Sequence, residues 1–542
     1  MSSTLVINAV IHSGQHPFAQ ALLIENGVIA WCGDMDAAAS YQRTATQIID
    51  AQGALLTPGF VDAHVHVLET AFALSATSLS PRDGIATREA ALSALSAATK
   101  TWKPGDLPVT SIGWDDSAWP AASQLSWADI DAVAGGVPVY VPRADLHSAL
   151  GSSALLSWAG LNDNHDGSPL RGDRHVAVRR AMHDVSDATR DQLYRMVLDY
   201  SAKRGVVELH ENSAPGIDTR EGLARLINMT QDPVSGFPRI VGYRGELVST
   251  LEEAHAISEA IPGLAGLAGD LSVDGSFGSR SAWLREEYAD APGNKGSLYL
   301  STEQVAAHVT ATSLAGLQGG FHVIGDAALD VVLTGYHNAA AQSDDIRRAI
   351  RRTGHRLEHV ELVDDDALTV FTDLGIAVSA QPAFDAWWGG QQGMYATRLG
   401  QRRAQRTTPL RTLMSAGIPV AFGSDSPVTP ISPWDGVRAA IWHHNTEERV
   451  SARAAFRAHS RGGHRVAGDM ATGEIRVGAP AHLVLWEADE LGVQAENDGR
   501  SAWSTDARSG TPLLPYLAEQ GESPRALITW RAGHIIHNAM NI

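Results

Sequence analysis

Apolar residues along this chain gather in short runs bounded by glycine, proline, asparagine or aspartate. Near the start they predict strands at Thr4–Ile11, Gln20–Ile24 and Val28–Cys32, with Glu25-Asn26-Gly27 as a hairpin turn between the last two. The far end has the same grammar in Glu474–Trp486 and in Ala526–His537, which folds around the turn Arg531-Ala532-Gly533. Two terminal β segments around a long middle predict one small β-sandwich domain assembled from residues 1–57 and 470–542. Between them, in residues 58–469, strand-like runs alternate with helical patterns such as Asp187–Lys203, Thr302–Leu317 and Ala327–Ala341. The runs end at His64, then fall at Val206–Glu211, Arg239–Arg244, Leu271–Gly275, Phe321–Ile324, Arg356–Val360, Ala377–Gln381 and Val420–Gly423. The fold class predicted is α/β, a (β/α)8 TIM barrel of eight parallel strands, with a doubly wound sheet as the alternative. Residues 69–200 form a large insertion after the first barrel strand; their Gly, Pro, Asp and Trp content suggests an irregular lid, although Pro108–Trp114 and Val137–Pro142 also have strand character.

Composition changes this picture only at its edges. Hydrophobic residues make up 44% and charged residues 19% of 542, which suits a folded chain with a large core. The formal charge of -19 repels phosphate backbones and anionic membrane surfaces, so neither nucleic acid nor a membrane is an expected partner. Cys32 is the only cysteine, which excludes an intrachain disulfide and thiolate metal sites. No segment has the pattern of a signal peptide or a membrane span, and the expected location is the cytoplasm. A homo-oligomer is compatible with all of this.

The chemistry sits where the apolar runs end. In Pro58-Gly-Phe-Val-Asp-Ala-His64-Val-His66, side chains alternate across a strand, so His64 and His66 point to one side and can share an ion. Phe321-His322, Leu357-Glu-His359 and Phe422-Gly-Ser-Asp425 close three further runs in the same way. In a parallel barrel the working groups lie at the C-terminal strand ends, where these residues fall. Histidines and a carboxylate with one position left for water are what a catalytic divalent ion requires; zinc is the ion expected. Glycine-rich turns here lack phosphate-loop spacing, so nucleotide binding has no support.

These motifs, together with Asp145-Leu-His147-Ser, Val273-Asp-Gly-Ser-Phe-Gly-Ser-Arg-Ser-Ala282, Phe321-His-Val-Ile-Gly-Asp-Ala-Ala328, Ser379-Ala-Gln-Pro382 and Gly423-Ser-Asp-Ser-Pro-Val428, resemble the amidohydrolase superfamily over nearly the whole chain. The resemblance is to its amidohydrolase-3 branch, which includes N-substituted formamide deformylases. It implies a metal-dependent hydrolase that cleaves a non-peptide amide-type C–N bond of a small-molecule substrate. A deaminase or cyclic amide hydrolase on the same scaffold and an inactive metal-binding relative are the alternatives. By the same resemblance His64, His66 and Asp425 hold one metal, and His322 and His359 hold a second or share the first. Asp425 also acts as the general base, and His147 orients the substrate carbonyl. Where the family commonly carries a carbamylated lysine that bridges two ions, four residues before Asp274-Gly-Ser, this chain has Asp270. Its shorter stem is expected to lose reach, which favours one ion over two unless Asp270 moves inward or His210 and Glu208 compensate. Asp326 is expected as a helix N-cap, Arg280 as a salt-bridge partner, and Trp387 and Trp388 as walls of an apolar pocket.

Overall fold

Eight parallel strands lie side by side in chain order: β1 (Phe60–Val65), β2 (Val206–Ser213), β3 (Arg239–Arg244), β4 (Gly266–Leu267), β5 (Gln318–Val323), β6 (Arg356–His359), β7 (Ala377–Ala380) and β8 (Val420–Phe422). The computed structural model describes residues 3–117, 119, 124–161, 166–494 and 511–540. The sequential order excludes a doubly wound sheet, whose strand order reverses. Beyond the last rung, the His66 N–H donates to Ser426 O (2.9 Å) and the Asp425 N–H to His64 O (2.8 Å), which draws β1 and β8 together at their C-terminal ends. The barrel is therefore closed at its mouth by the backbone of the same residues that carry its chemistry.

The fourth strand differs from expectation. Leu271–Gly275 alternates like a strand, but β4 is the two-residue segment Gly266–Leu267 that precedes it. Gly266 is required there because β5 passes so close that a Cβ would lie 2.3 Å from Gln318 O. Gly269, at φ +78, then turns the chain. Asp270 consequently follows the fourth strand instead of preceding it, and emerges at the mouth of the barrel.

The chain ends form two accessory sheets, the first from N-terminal strands alone and the second from both ends. One contains Val28–Gly33, Ala21–Glu25, Ser3–Ile7 and Gln47–Asp50 in that order; the other contains Val10–Ile11, Leu55–Pro58, Leu483–Glu487, Arg525–Arg531 and His534–Asn538. The expected strand Thr4–Ile11 is split between the two because Asn8 turns left-handed at φ 55. Leu55–Pro58 pairs antiparallel with Leu483–Glu487, so the second sheet exists only when the two ends meet. Val6, Ile29, Leu56, Leu485, Ile528 and Trp530 form the apolar filling between the sheets.

The insertion is more regular than its composition suggested. It builds a four-stranded sheet ordered Ala149–Gly151, Val139–Pro142, Val109–Ile112, Thr77–Ser78, backed by the helices Arg88–Thr99 and Trp127–Ala134. Leu95, Trp114, Trp127, Ile130 and Val141 give it a core of its own. Among the described residues, no helix is long and apolar enough to cross a membrane.

Trp486 joins the accessory sheets to the barrel. It is fully buried, donates from Nε1 to Thr57 Oγ1 (2.9 Å), and packs edge-on to Phe60 and Trp434 at centroid distances of 5.7 and 5.3 Å. Trp486→Ala should therefore cost about 3–5 kcal/mol of stability, read as a fall in the urea midpoint of the intact chain; a change below about 1 kcal/mol would show that the two parts are not coupled through this residue.

Candidate metal centre

Strand alternation brings His64 and His66 to one side of β1, as the spacing requires, while His322 is the penultimate residue of β5, His359 the last of β6, and Asp425 follows β8 by three residues. With Asp270 these six residues converge. His64 Nε2 lies 3.4 Å from Asp270 Oδ1 and 3.3 Å from Asp425 Oδ1. His66 Nε2 lies 3.4 Å from Asp270 Oδ2 and 3.0 Å from Asp425 Oδ1. His322 Nδ1 is 3.9 Å from Asp270 Oδ1, and the His359 ring sits 4.5 Å from that of His322 and 5.0 Å from that of His64.

Each imidazole is held from behind by an oxygen that can only accept. His64 Nδ1–H donates to Glu358 Oε2 (2.7 Å), His66 Nδ1–H to Asn212 O (3.0 Å), His322 Nε2–H to Gly275 O (3.2 Å) and His359 Nδ1–H to Gln381 Oε1 (2.8 Å). The proton on the far nitrogen leaves the near nitrogen of a neutral ring with its lone pair directed inward. His322 and His359 are neutral by environment: burial first, and then neighbouring imidazoles, pull His322 down to about 3, and burial also lowers His359. At His64 and His66 burial acts in the same direction, but the Asp425 and Asp270 carboxylates outweigh it and hold His66 up at about 9. Burial likewise favours the protonated form of Asp425 and Asp270, and the surrounding histidines overcome it to keep both carboxylates ionised.

This donor set fits a divalent cation. His64 Nε2 and Asp270 Oδ1 are buried and make no hydrogen bond. Two ligands about 2.0–2.2 Å from a common ion at tetrahedral angles stand roughly 3.3–3.5 Å apart, close to the separations around His64 Nε2. Among the described residues, two triads have metal-binding spacing, His64-His66-Asp425 and His64-Asp270-His359, and both use His64. The expectation that Asp270 loses reach is corrected: leaving β4 after Gly269, it needs no long stem to meet the histidines.

His210 and Glu208 are corrected as well, because they lie deeper in the barrel and away from the ion-binding atoms. His210 Nδ1 accepts from Arg356 Nη1 (2.9 Å) and its Nε2 faces Glu208 Oε1 (3.3 Å), which also contacts His464 Nδ1 (3.1 Å). Arg356 in turn donates to both oxygens of Glu358 (2.7 and 2.9 Å), so a buried polar column runs down the barrel from His64. Sequence reasoning missed the roles of Arg356 and Glu358, although the alternation Arg-Leu-Glu on β6 places both on the inward side.

The insertion reaches the centre through His147, whose ring is 5.2 Å from that of His322. Asp145 anchors that loop by accepting from Ser276 Oγ (2.7 Å) and Ser279 Oγ (2.9 Å) and from the His147 N–H (3.2 Å). The Asp-Gly-Ser segment is thus a bracket between barrel and insertion. Its Asp274 accepts from the N–H groups of Ile324, Gly325 and Trp283. Asp326 is the first residue of the helix Asp326–Ala341 and not its N-cap, which is Gly325. Arg280 forms the expected salt bridge, to Asp290 (2.8 Å). Trp388 lines the cavity beside His359, whereas Trp387 packs under Arg82 at 4.6 Å. Backbone at His359 (φ 70), Val360 (φ 50) and Asp425 (φ 54) is left-handed, a strain concentrated at the centre.

The amidohydrolase family model matches residues 47–537. Protein LONG AFTER FAR-RED 3 of Arabidopsis thaliana is 27% identical over 519 residues, covering 85% of each chain. An N-substituted formamide deformylase of Arthrobacter pascens is 23% identical over 530 residues, covering 91% of this chain and 94% of its own. The crystal structure of an uncharacterized metal-dependent hydrolase from Pyrococcus furiosus superposes with a TM-score of 0.68 at 23% identity, over 90% of this chain and 99% of that one.

Glu358→Gln removes the negative partner of the fully buried Arg356 and should lower stability by about 3–5 kcal/mol. Denaturant unfolding of the two proteins checks this; a loss under about 1 kcal/mol would mean that water or another group compensates Arg356.

Proposed function

This chain belongs to the amidohydrolase family, and from that premise we propose that it is a metal-dependent hydrolase of a non-peptide amide-type C–N bond in a small molecule. The observation that carries the reading is the convergence of four imidazoles and two ionised carboxylates at the mouth of the barrel. His64, His66, Asp425 and Asp270 would hold a divalent ion, zinc by the nitrogen and oxygen character of the set, with His322 and His359 beside it. One ion is proposed, because both triads of suitable spacing need the single free lone pair of His64 Nε2. When bound, such an ion supplies a Lewis acid that polarises a carbonyl and makes water acidic near neutral pH.

The chain's own groups account for the rest of the reaction. Asp425 is ionised and carries a second carboxylate oxygen besides the one facing His66, so it can take the proton of an attacking water and return it to the leaving nitrogen. His359, kept neutral by burial and oriented by Gln381, can donate or accept at the scissile group. His147 is positioned by Asp145 to meet the carbonyl oxygen. The walls contributed by the insertion limit the entry of bulk water.

Asp425→Asn should retain metal, since an amide oxygen still coordinates, yet lose about 10²–10⁴-fold in kcat; activity within tenfold of the wild type removes Asp425 as the base. His66→Ala should lose metal and activity together. Chelation should abolish turnover and zinc should restore it, and elemental analysis of the saturated protein should give close to one ion per chain; close to two would overturn the single-ion reading. A metal-loaded protein inactive on amides, formamides and cyclic amides alike would overturn the hydrolase itself.

A further inference from the structure

Two cavities of opposite character meet at the metal centre. The first is walled by Phe277, Ile324, Phe384, Trp388 and Tyr395, all at least nine-tenths buried. Phe384 lies parallel to the His359 ring (13°, 5.9 Å), and Trp388 stands edge-on to Phe384 at 5.2 Å. Such a slot presents flat faces to a flat guest. The second cavity lies on the side of His66 and Asp270 and is lined by Glu69, His175, Arg179 and Tyr299. Asp145, His147, His322 and Asp425 border both. A bond held at the metal centre therefore has an apolar aromatic space at one end and a polar space at the other.

Glu69 lines the polar space. It is 8% exposed, and Arg179 Nε donates to its Oε1 (2.7 Å), while its Oε2 is buried and has no hydrogen-bond partner among the described residues. A buried carboxylate oxygen left unsatisfied is costly unless something that enters the cavity donates to it. With Oε1 taken by Arg179, the unpaired Oε2 calls for a hydrogen-bond donor, and an anionic end would meet Glu69, Asp270 and Asp425 together.

We propose, resting on the hydrolase reading above, that the substrate is a two-ended amide: an aromatic group fills the Phe384–Trp388 slot, and across the scissile bond a short end bearing a hydroxyl or amide N–H donates to Glu69 Oε2. Hydrolysis breaks the C–N bond, forms a C–O bond from water, and delivers the water proton to the nitrogen, giving one carboxylic acid and one amine. The aromatic end and the polar end leave on different products.

The test uses the zinc-loaded full chain and matched amides made in both acyl and amine orientations. One set replaces a benzyl end with propyl; the other replaces a terminal hydroxymethyl with ethyl or with carboxylate. Benzyl should exceed propyl in kcat/KM by about a hundredfold, from the apolar surface lost. Hydroxymethyl should exceed ethyl by at least about a hundredfold and carboxylate by more. Trp388→Leu should reduce the first ratio about tenfold and leave the second, and Glu69→Gln should reduce the second about tenfold and leave the first, because a neutral acceptor binds a donor less strongly. Thermal melting of both variants identifies any loss that comes from misfolding, and Phe384→Leu repeats the aromatic arm if Trp388→Leu does not fold. A wild-type ratio within twofold at either end, or a ratio that survives its substitution, overturns the two-ended substrate. Absence of hydrolysis of every amide by wild type overturns the hydrolase reading instead.

Discussion

The hydrogen bond from His64 Nδ1 to Glu358 Oε2 is the interaction on which the centre depends. It fixes the tautomer of the one histidine that both candidate metal-binding triads share, and so directs Nε2 to where Asp270 and Asp425 meet. Without an acceptor behind it, a buried imidazole among carboxylates would place a proton on either nitrogen. Asn212 O, Gly275 O and Gln381 Oε1 do the same for His66, His322 and His359, but two of these are backbone carbonyls that no side-chain change removes. Glu358 is a side chain, and its own charge has to be balanced.

That balance explains the interior of the barrel. Arg356 lies two residues before Glu358 on β6, both point inward, and Arg356 continues to His210, Glu208 and His464. A barrel of this type is ordinarily filled by layers of branched apolar side chains. Here charged groups occupy that volume, and buried ion pairs contribute little net stability against apolar residues of the same size. Their effect is positional: each polar atom in the column is oriented by the next. The apolar stabilisation comes from outside the strands, where Phe60, Phe321, Tyr336 and Trp434 pack with the helices.

Around this column the connections divide the labour. The insertion folds on its own core and is held over the mouth by Asp145 on Ser276 and Ser279, so one segment both closes the aromatic space and presents His147. The terminal sheets attach at the opposite side through Trp486 and Thr57, remote from the chemistry. Left-handed backbone occurs at the strand ends at His359 and Asp425, where the closed barrel and the candidate metal centre coincide.

Much of this was legible in the chain itself. The alternation of strand and helix patterns, the hairpin turns at both ends, and the four apolar runs that finish in His64-x-His66, His322, His359 and Asp425 all follow from local rules: side chains alternate on strands, and parallel barrels gather their strand ends on one face. What the local pattern could not decide was any choice that rests on close approach between distant segments. Gly266 and Gly269 set where β4 ends, and with it the reach of Asp270, because of the proximity of β5 at Gly266 and of Asn212 at Gly269, and not because of anything within the run 271–275. His210 has the spacing of a ligand, but its depth in the barrel makes it Arg356's acceptor. The regular sheet of the insertion, the aromatic slot and the polar space around Glu69 are likewise products of packing, since periodicity determines which way a side chain faces, while only the assembled fold determines what it faces.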